Sequence, residues 1–91
     1  MKKIYVKDIS MDTSTSVGGD KLYNVLLEFD NTQELVDISF SGLLCPTSSY
    51  LNASLVRLLE GEKKHRWQGR LKVSGLNARN ATFIKEYVSK F

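Results

Sequence analysis

Two hydrophobic periods alternate along this chain of 91 residues, and their order limits the folds open to it. Three short segments alternate apolar with polar residues, which is the period of a strand with one buried face. They are residues 3–7, 36–41 and 70–74. Segments with the helical period follow each of them. Because strands joined through helices favour a parallel or mixed sheet, the pattern predicts an α/β domain of order β-α-β-α-β-α.

Three helices are predicted where apolar residues recur at helical spacing. The first is expected over residues 20–31, after a polar loop at residues 10–19, and the second over residues 48–60. The third should begin at a cap provided by Asn77 or Asn80, and its docking face is Phe83, Ile84, Tyr87, Val88 and Phe91. The strands alternate rather than being apolar throughout, as they would be in a sheet covered on both faces. Helices are therefore expected mainly on one face of a mixed or mostly parallel sheet.

The composition fits one domain spanning residues 1–91. The apolar fraction of 42% and the charged fraction of 25% are those of ordinary soluble proteins. A single cysteine, Cys45, excludes an internal disulfide and fits a reducing compartment. No apolar run reaches the length of a membrane span or signal peptide, so we expect a cytoplasmic protein without a membrane partner. Association into a homodimer would add buried surface to so short a chain.

Charge is distributed unevenly along the chain. Residues 1–46 carry four basic against seven acidic residues, and residues 47–91 carry nine against three. A polar, basic segment bounded by glycines at residues 61–69 is expected as an exposed loop. Clustered lysine and arginine attract phosphates or acidic protein faces, and a tryptophan stacks on a base or anchors an interface. The sequence thus gives a candidate anion or nucleic-acid surface of Lys63, Lys64, Arg66, Trp67 and Arg70.

Catalytic and metal-binding constellations are missing from the sequence. His65 is the only histidine and has no acid near it in sequence other than Glu60 and Glu62. Cys45 lies beside Pro46 and is typical of a small buried hydrophobic residue rather than of a nucleophile. No glycine-rich phosphate loop is present. We therefore expect neither an enzyme nor a cofactor.

Residues 36–43, followed by residues 46–55, carry a resemblance to a known family. An apolar strand ends in a turn of small residues, and a Ser-Ser pair with an aromatic residue opens the next helix. This arrangement resembles the central strand-turn-helix of STAS-like domains (sulfate transporter and anti-sigma factor antagonist), and the resemblance extends over residues 17–91. It implies a bacterial or phage regulatory module that binds a protein partner without catalysis. The implied contact residues are Thr47, Ser48, Ser49, Tyr50 and Asn52.

Ser48 would be the phosphoacceptor if the resemblance extends to regulation. In the anti-sigma factor antagonists, a kinase phosphorylates the first serine of an Asp-Ser-Ser-Gly turn and so breaks the partner complex. Thr47 and Tyr50 stand here where those proteins have Asp and Gly. A serine pair before a leucine-rich helix is also what an N-cap requires, so capping alone is the competing interpretation. A small oligomeric inhibitor of a larger host or phage machine is a further hypothesis, compatible with the chain's size.

Overall fold

Three parallel strands form the sheet in the computed structural model, which describes residues 1–91. They are β1 (Lys2–Tyr5), β2 (Val36–Ser39) and β3 (Leu71–Ser74), in the spatial order β1-β2-β3. Both strand pairs are parallel. The sheet predicted as mixed or mostly parallel is therefore entirely parallel, and its strands lie within the predicted segments except at Lys2.

Helices follow each strand, as the alternating periods predict. They are α1 (Ser16–Leu26), α2 (Ser48–Ala53), α3 (Leu55–Leu58), α4 (Lys63–Trp67) and α5 (Ala78–Val88). Single 3₁₀ turns follow β1 at Val6–Asp8 and α1 at Leu27–Phe29. None of these helices combines the length and apolar character needed to cross a bilayer.

Two of the three predicted helices have different boundaries in the structure, and α1 ends at Leu26 rather than near Asn31. α1 begins at Ser16 rather than Asp20, because the Thr15 hydroxyl accepts a hydrogen bond from the Gly18 amide and caps the helix. The predicted helix over residues 48–60 is interrupted at Ser54, whose backbone leaves the helical region (φ −120°, ψ −89°). The Ser54 hydroxyl donates to the Tyr50 carbonyl at 2.8 Å, and such side-chain bonds compete with regular helix.

One face of the sheet builds the hydrophobic core. Val36, Ile38 and Phe40 point to it and are fully buried, together with apolar side chains from all five helices. The opposite face is polar, and its six strand residues are Lys3, Tyr5, Asp37, Ser39, Lys72 and Ser74. Helices thus pack on the apolar face, and a row of hydrophilic side chains occupies the other.

Gly19 sets how closely α1 approaches α2. A Cβ atom at this position would lie 2.4 Å from the Tyr50 carbonyl oxygen and 2.8 Å from the Ala53 Cβ. The neighbouring Gly18 faces the Asp12 carbonyl oxygen in the same way, at 2.4 Å. The Gly-Gly pair is therefore a packing feature, and it holds the first turns of α1 and α2 side by side.

Candidate interaction surface

The first turn of α2 lies at the carboxyl edge of the sheet. After β2 the chain turns at Gly42, where φ is +79°, and reaches α2 through Pro46. The Thr47 amide donates to the Thr13 carbonyl at 3.0 Å, which ties α2 to the loop before α1. The carboxyl edge of an open parallel α/β sheet is where such folds commonly bind ligands. The contact residues implied by the resemblance therefore lie at the edge of the sheet where open parallel α/β folds commonly bind ligands.

Thr47, and neither serine, is the N-cap of α2. Its hydroxyl accepts a hydrogen bond from the Tyr50 amide at 3.3 Å and donates to the Ser14 carbonyl at 2.9 Å. Ser48 and Ser49 are exposed in the first turn, and their hydroxyls make no hydrogen bond within the molecule. Capping thus accounts for the threonine and leaves both serine side chains without a structural partner.

Asn52 is also exposed, one turn further along α2. Its side-chain oxygen accepts a hydrogen bond from the Tyr87 hydroxyl at 2.6 Å, which links α2 to α5. Asn52 therefore has a structural contact of its own while its side chain remains at the surface beside Ser48 and Ser49.

Tyr50 is a core residue. Its side chain is fully buried, and its ring meets the Phe40 ring edge-on with the centroids 6.1 Å apart. Its hydroxyl has no hydrogen-bond partner. Burial, and then the negative charge of Asp12, raise the pKa of the Tyr50 hydroxyl above its usual range. Of the five residues implied as contacts, Tyr50 is the one whose side chain does not reach the surface.

Asp12 organises the loop beside α2. Its carboxylate accepts hydrogen bonds from the hydroxyls of Thr15 and Ser14 and from the Ser14 amide, the last at 2.8 Å. These bonds, led by that from Thr15, lower the pKa of Asp12 to about 2. The carboxylate is consequently ionised at neutral pH, and the loop next to Ser48 has a fixed set of internal hydrogen bonds.

The basic segment at residues 61–69, expected as a loop, contains the short helix α4. Trp67 ends this helix and is fully buried, and its indole N–H donates to Asp30 Oδ1 at 2.7 Å. Arg66 forms an ion pair with Asp30 Oδ2 at 3.0 Å. Burial raises the pKa of Asp30, but the hydrogen bonds from Trp67 and Arg66 outweigh it, and the net pKa is below the usual value. Asp30 thus anchors α4 to the end of the 3₁₀ turn that follows α1.

Arg70 has a structural role as well. Its guanidinium donates to the carbonyl oxygens of Phe29, Glu34 and Arg66 at 2.8 to 2.9 Å, and it lies 4.3 Å from the centre of the Trp67 ring. Only 8% of the residue is exposed. Of the basic side chains predicted to meet an anion, Lys63 and Lys64 are the two without an ion pair or hydrogen bond in the molecule.

The opposite charges of the two halves pair with each other at the surface of the protein. Asp20 pairs with Arg57 at 2.8 Å, and Asp30 pairs with Arg66. Each pair joins an acid from the first half of the chain to a base from the second. The sequence carries no local signal for these contacts, because Asp30 and Trp67 are 37 positions apart and lie in segments of different predicted type.

The remaining reactive side chains are isolated from one another. His65 is exposed on α4, and Cys45 is partly buried, which raises the pKa of its thiol. No three His, Cys, Asp or Glu side chains are grouped so that they could hold a metal ion.

Comparisons with protein-family models, with curated proteins and with solved structures found no match to this chain.

Proposed function

We propose that this chain is a non-catalytic interaction module similar in function to STAS-like antagonist domains, and that its partner binds the first turn of α2. Ser48 and Ser49 carry the proposal. Both are exposed, and neither is the cap, because Thr47 already accepts the capping hydrogen bond from the Tyr50 amide. Two neighbouring hydroxyls without an internal partner are available to another molecule. Asn52 extends the same surface by one turn.

Rigid support for this surface favours recognition. Gly19 brings α1 against α2, and the Asp12 hydrogen bonds order the loop next to Thr47. Polar contacts on a preorganised surface lose less conformational entropy on binding than contacts on a mobile one. A phosphate on Ser48 would add a charge of about −1.5 to −2 to this surface, enough to reorganise an interface built on neutral hydroxyls.

The test uses two arginine substitutions with the same change of charge. Ser49→Arg places a bulky cation in the first turn of α2, whereas Gln33→Arg places it in the exposed loop before β2. Immobilised wild-type protein and both variants are incubated with cell extract, and captured proteins are quantified by mass spectrometry after far-UV circular dichroism has shown the variants to be folded. We expect a captured protein whose amount is similar with wild type and with Gln33→Arg. With Ser49→Arg, its amount should fall on the order of tenfold.

A Ser48→Glu variant tests regulation on the same partner. The proposed phosphoacceptor role predicts that this variant also loses capture, while Ser48→Ala keeps it. Equal capture by Ser49→Arg and Gln33→Arg would show that the first turn of α2 is not the contact. Equal capture by Ser48→Glu and Ser48→Ala would contradict the phosphoserine switch. It would not contradict the proposed binding surface.

Nucleic-acid binding has less support than this proposal. Trp67 is buried, Arg66 is paired with Asp30, and Arg70 is surrounded by carbonyl oxygens. Lys63 and Lys64 remain for phosphates, and two contacts supply a small part of the counterion release on which such binding depends.

A further inference from the structure

A groove of about 660 Å³ lies along β3, between α5 and the helices α3 and α4. Its walls are mostly apolar, and they include Leu55, Trp67, Leu71, Val73, Ile84 and Val88. Three consecutive β3 residues, from Leu71 to Val73, line it. Because neighbouring strand residues point to opposite faces, a groove that touches all three follows the edge of the strand.

The outer edge of β3 has free hydrogen-bonding groups. β3 is at one side of the sheet and pairs only with β2. The Val36 amide donates to the Arg70 carbonyl at 2.7 Å and the Phe40 amide to the Ser74 carbonyl at 3.0 Å, so residues 70, 72 and 74 face β2. In a parallel ladder the alternate residues, Leu71 and Val73, direct their N–H and C=O groups away from it. An unpaired row of this kind is a template for another strand.

Positive charge surrounds the same groove. Lys64, Lys72 and Lys85 are among its 14 lining residues, and these include no aspartate or glutamate. None of the three lysines forms an ion pair, because both ion pairs of the protein involve arginines. By the alternation of the strand, the Lys72 side chain belongs to the polar face, opposite to Leu71 and Val73. The two faces of β3 thus present apolar surface on one side and a lysine on the other.

We propose that the outer edge of β3 receives an extended segment of a partner protein in which acidic and apolar residues alternate. The segment adds as a fourth strand by pairing with the peptide groups of Leu71 and Val73. Its apolar side chains enter the groove, and its acidic side chains lie toward Lys72. Strand addition of this kind gives affinity through the main chain and specificity through alternate side chains. This surface is separate from the first turn of α2.

The probe is a short fluorescein-labelled peptide in which glutamate alternates with valine. It is used at a concentration at which the peptide alone is monomeric. Fluorescence anisotropy measures its binding to the full chain. We expect saturable binding that Lys72→Glu weakens on the order of tenfold, while Lys21→Glu, an equal change of charge on α1, leaves it nearly unchanged. A peptide of alternating lysine and valine should not bind. Both variants replace exposed side chains, so circular dichroism should show them folded.

Backbone methylation distinguishes strand addition from other modes of binding. One peptide is N-methylated at every valine and another at every glutamate. Alternate residues of an added strand face β3, so one of these peptides should lose binding and the other keep it. Equal binding of both methylated peptides, or equal weakening by Lys72→Glu and Lys21→Glu, would overturn the proposal. So would failure of the peptide to bind while sedimentation shows a dimer sensitive to Lys72→Glu, because a second copy would then occupy the edge of β3.

Discussion

Tyr50 combines two features that rarely occur together, a fully buried ring and a hydroxyl without a hydrogen-bond partner. The ring contributes to the core through Phe40 and the α1–α2 contact. The hydroxyl has given up its hydration without replacing it, which costs about 1–3 kcal/mol for a group of this kind. The two parts of the side chain therefore have opposite effects on stability.

We expect Tyr50→Phe to raise the free energy of unfolding by about 1 kcal/mol, because it removes the unpaired hydroxyl and keeps the ring. Tyr50→Ala should lower it by about 3–5 kcal/mol, as the loss of a buried aromatic ring does elsewhere. Urea denaturation of the three proteins measures both changes. A loss of stability in Tyr50→Phe would mean that the hydroxyl has a partner in solution.

The burial of Tyr50 could not be predicted from the sequence. The pattern correctly places Tyr50 at the start of a helix, but the spacing of Leu51, Leu55 and Leu58 alone does not show that Phe40 and α1 close over the ring. Ser48 and Ser49 show the reverse case. Three hydroxyl residues in a row are equivalent as caps in sequence, and only the backbone geometry assigns the cap to Thr47.

The α1–α2 pair is the most extensive helix contact in the protein, and Gly19 lies within it. Helix propensity alone predicts that Gly19→Ala stabilises α1 by about 1 kcal/mol. The added methyl would instead meet the Tyr50 carbonyl oxygen and the Ala53 Cβ, neither of which is the end of a flexible side chain. We expect the packing effect to prevail and the free energy of unfolding to fall by about 1–3 kcal/mol.

Val17→Ala is the matched control for Gly19→Ala. Val17 lies in the first turn of the same helix with 66% of its surface exposed, so its truncation should change stability by less than about 0.5 kcal/mol. Thermal and urea unfolding of both variants separate the two effects. A stabilised Gly19→Ala protein would mean that α1 and α2 are further apart in solution than in this structure.

Elements with a clear period were predictable, and elements held by distant contacts were not. The three strands were found because their alternating residues face a core on one side only. α4 has no apolar face of its own, since its sequence is Lys-Lys-His-Arg-Trp, and it is held by Asp30 and Arg70. The break at Ser54 was likewise hidden, because Leu51, Leu55 and Leu58 keep helical spacing through it.

At the scale of the molecule, a single cluster of 14 buried apolar residues forms the core. Its members come from all three strand–helix segments of the chain, from Ile4 in β1 to Ile84 in α5. Trp67 belongs to this cluster although it comes from the basic segment. The protein therefore has no second core in which α4 could remain folded independently. Small domains with a single core usually unfold in one cooperative step.

Trp67 is the only tryptophan, so its fluorescence reports the state of α4 directly. We expect native emission at short wavelength and weak quenching by iodide, because the indole is buried and donates its hydrogen bond to Asp30. During urea unfolding, its red shift should coincide with the loss of far-UV circular dichroism, which reports all helices together.

Arg70→Ala provides the decisive comparison for this prediction. The substitution leaves the carbonyl oxygens of Phe29, Glu34 and Arg66 without their shared donor and should lower stability by about 2–4 kcal/mol. If α4 belongs to the single cooperative unit, both transitions move to lower urea by the same amount. If the fluorescence transition moves alone, α4 is a separate unit, and the wall of the β3 groove that contains Trp67 opens before the rest of the protein unfolds.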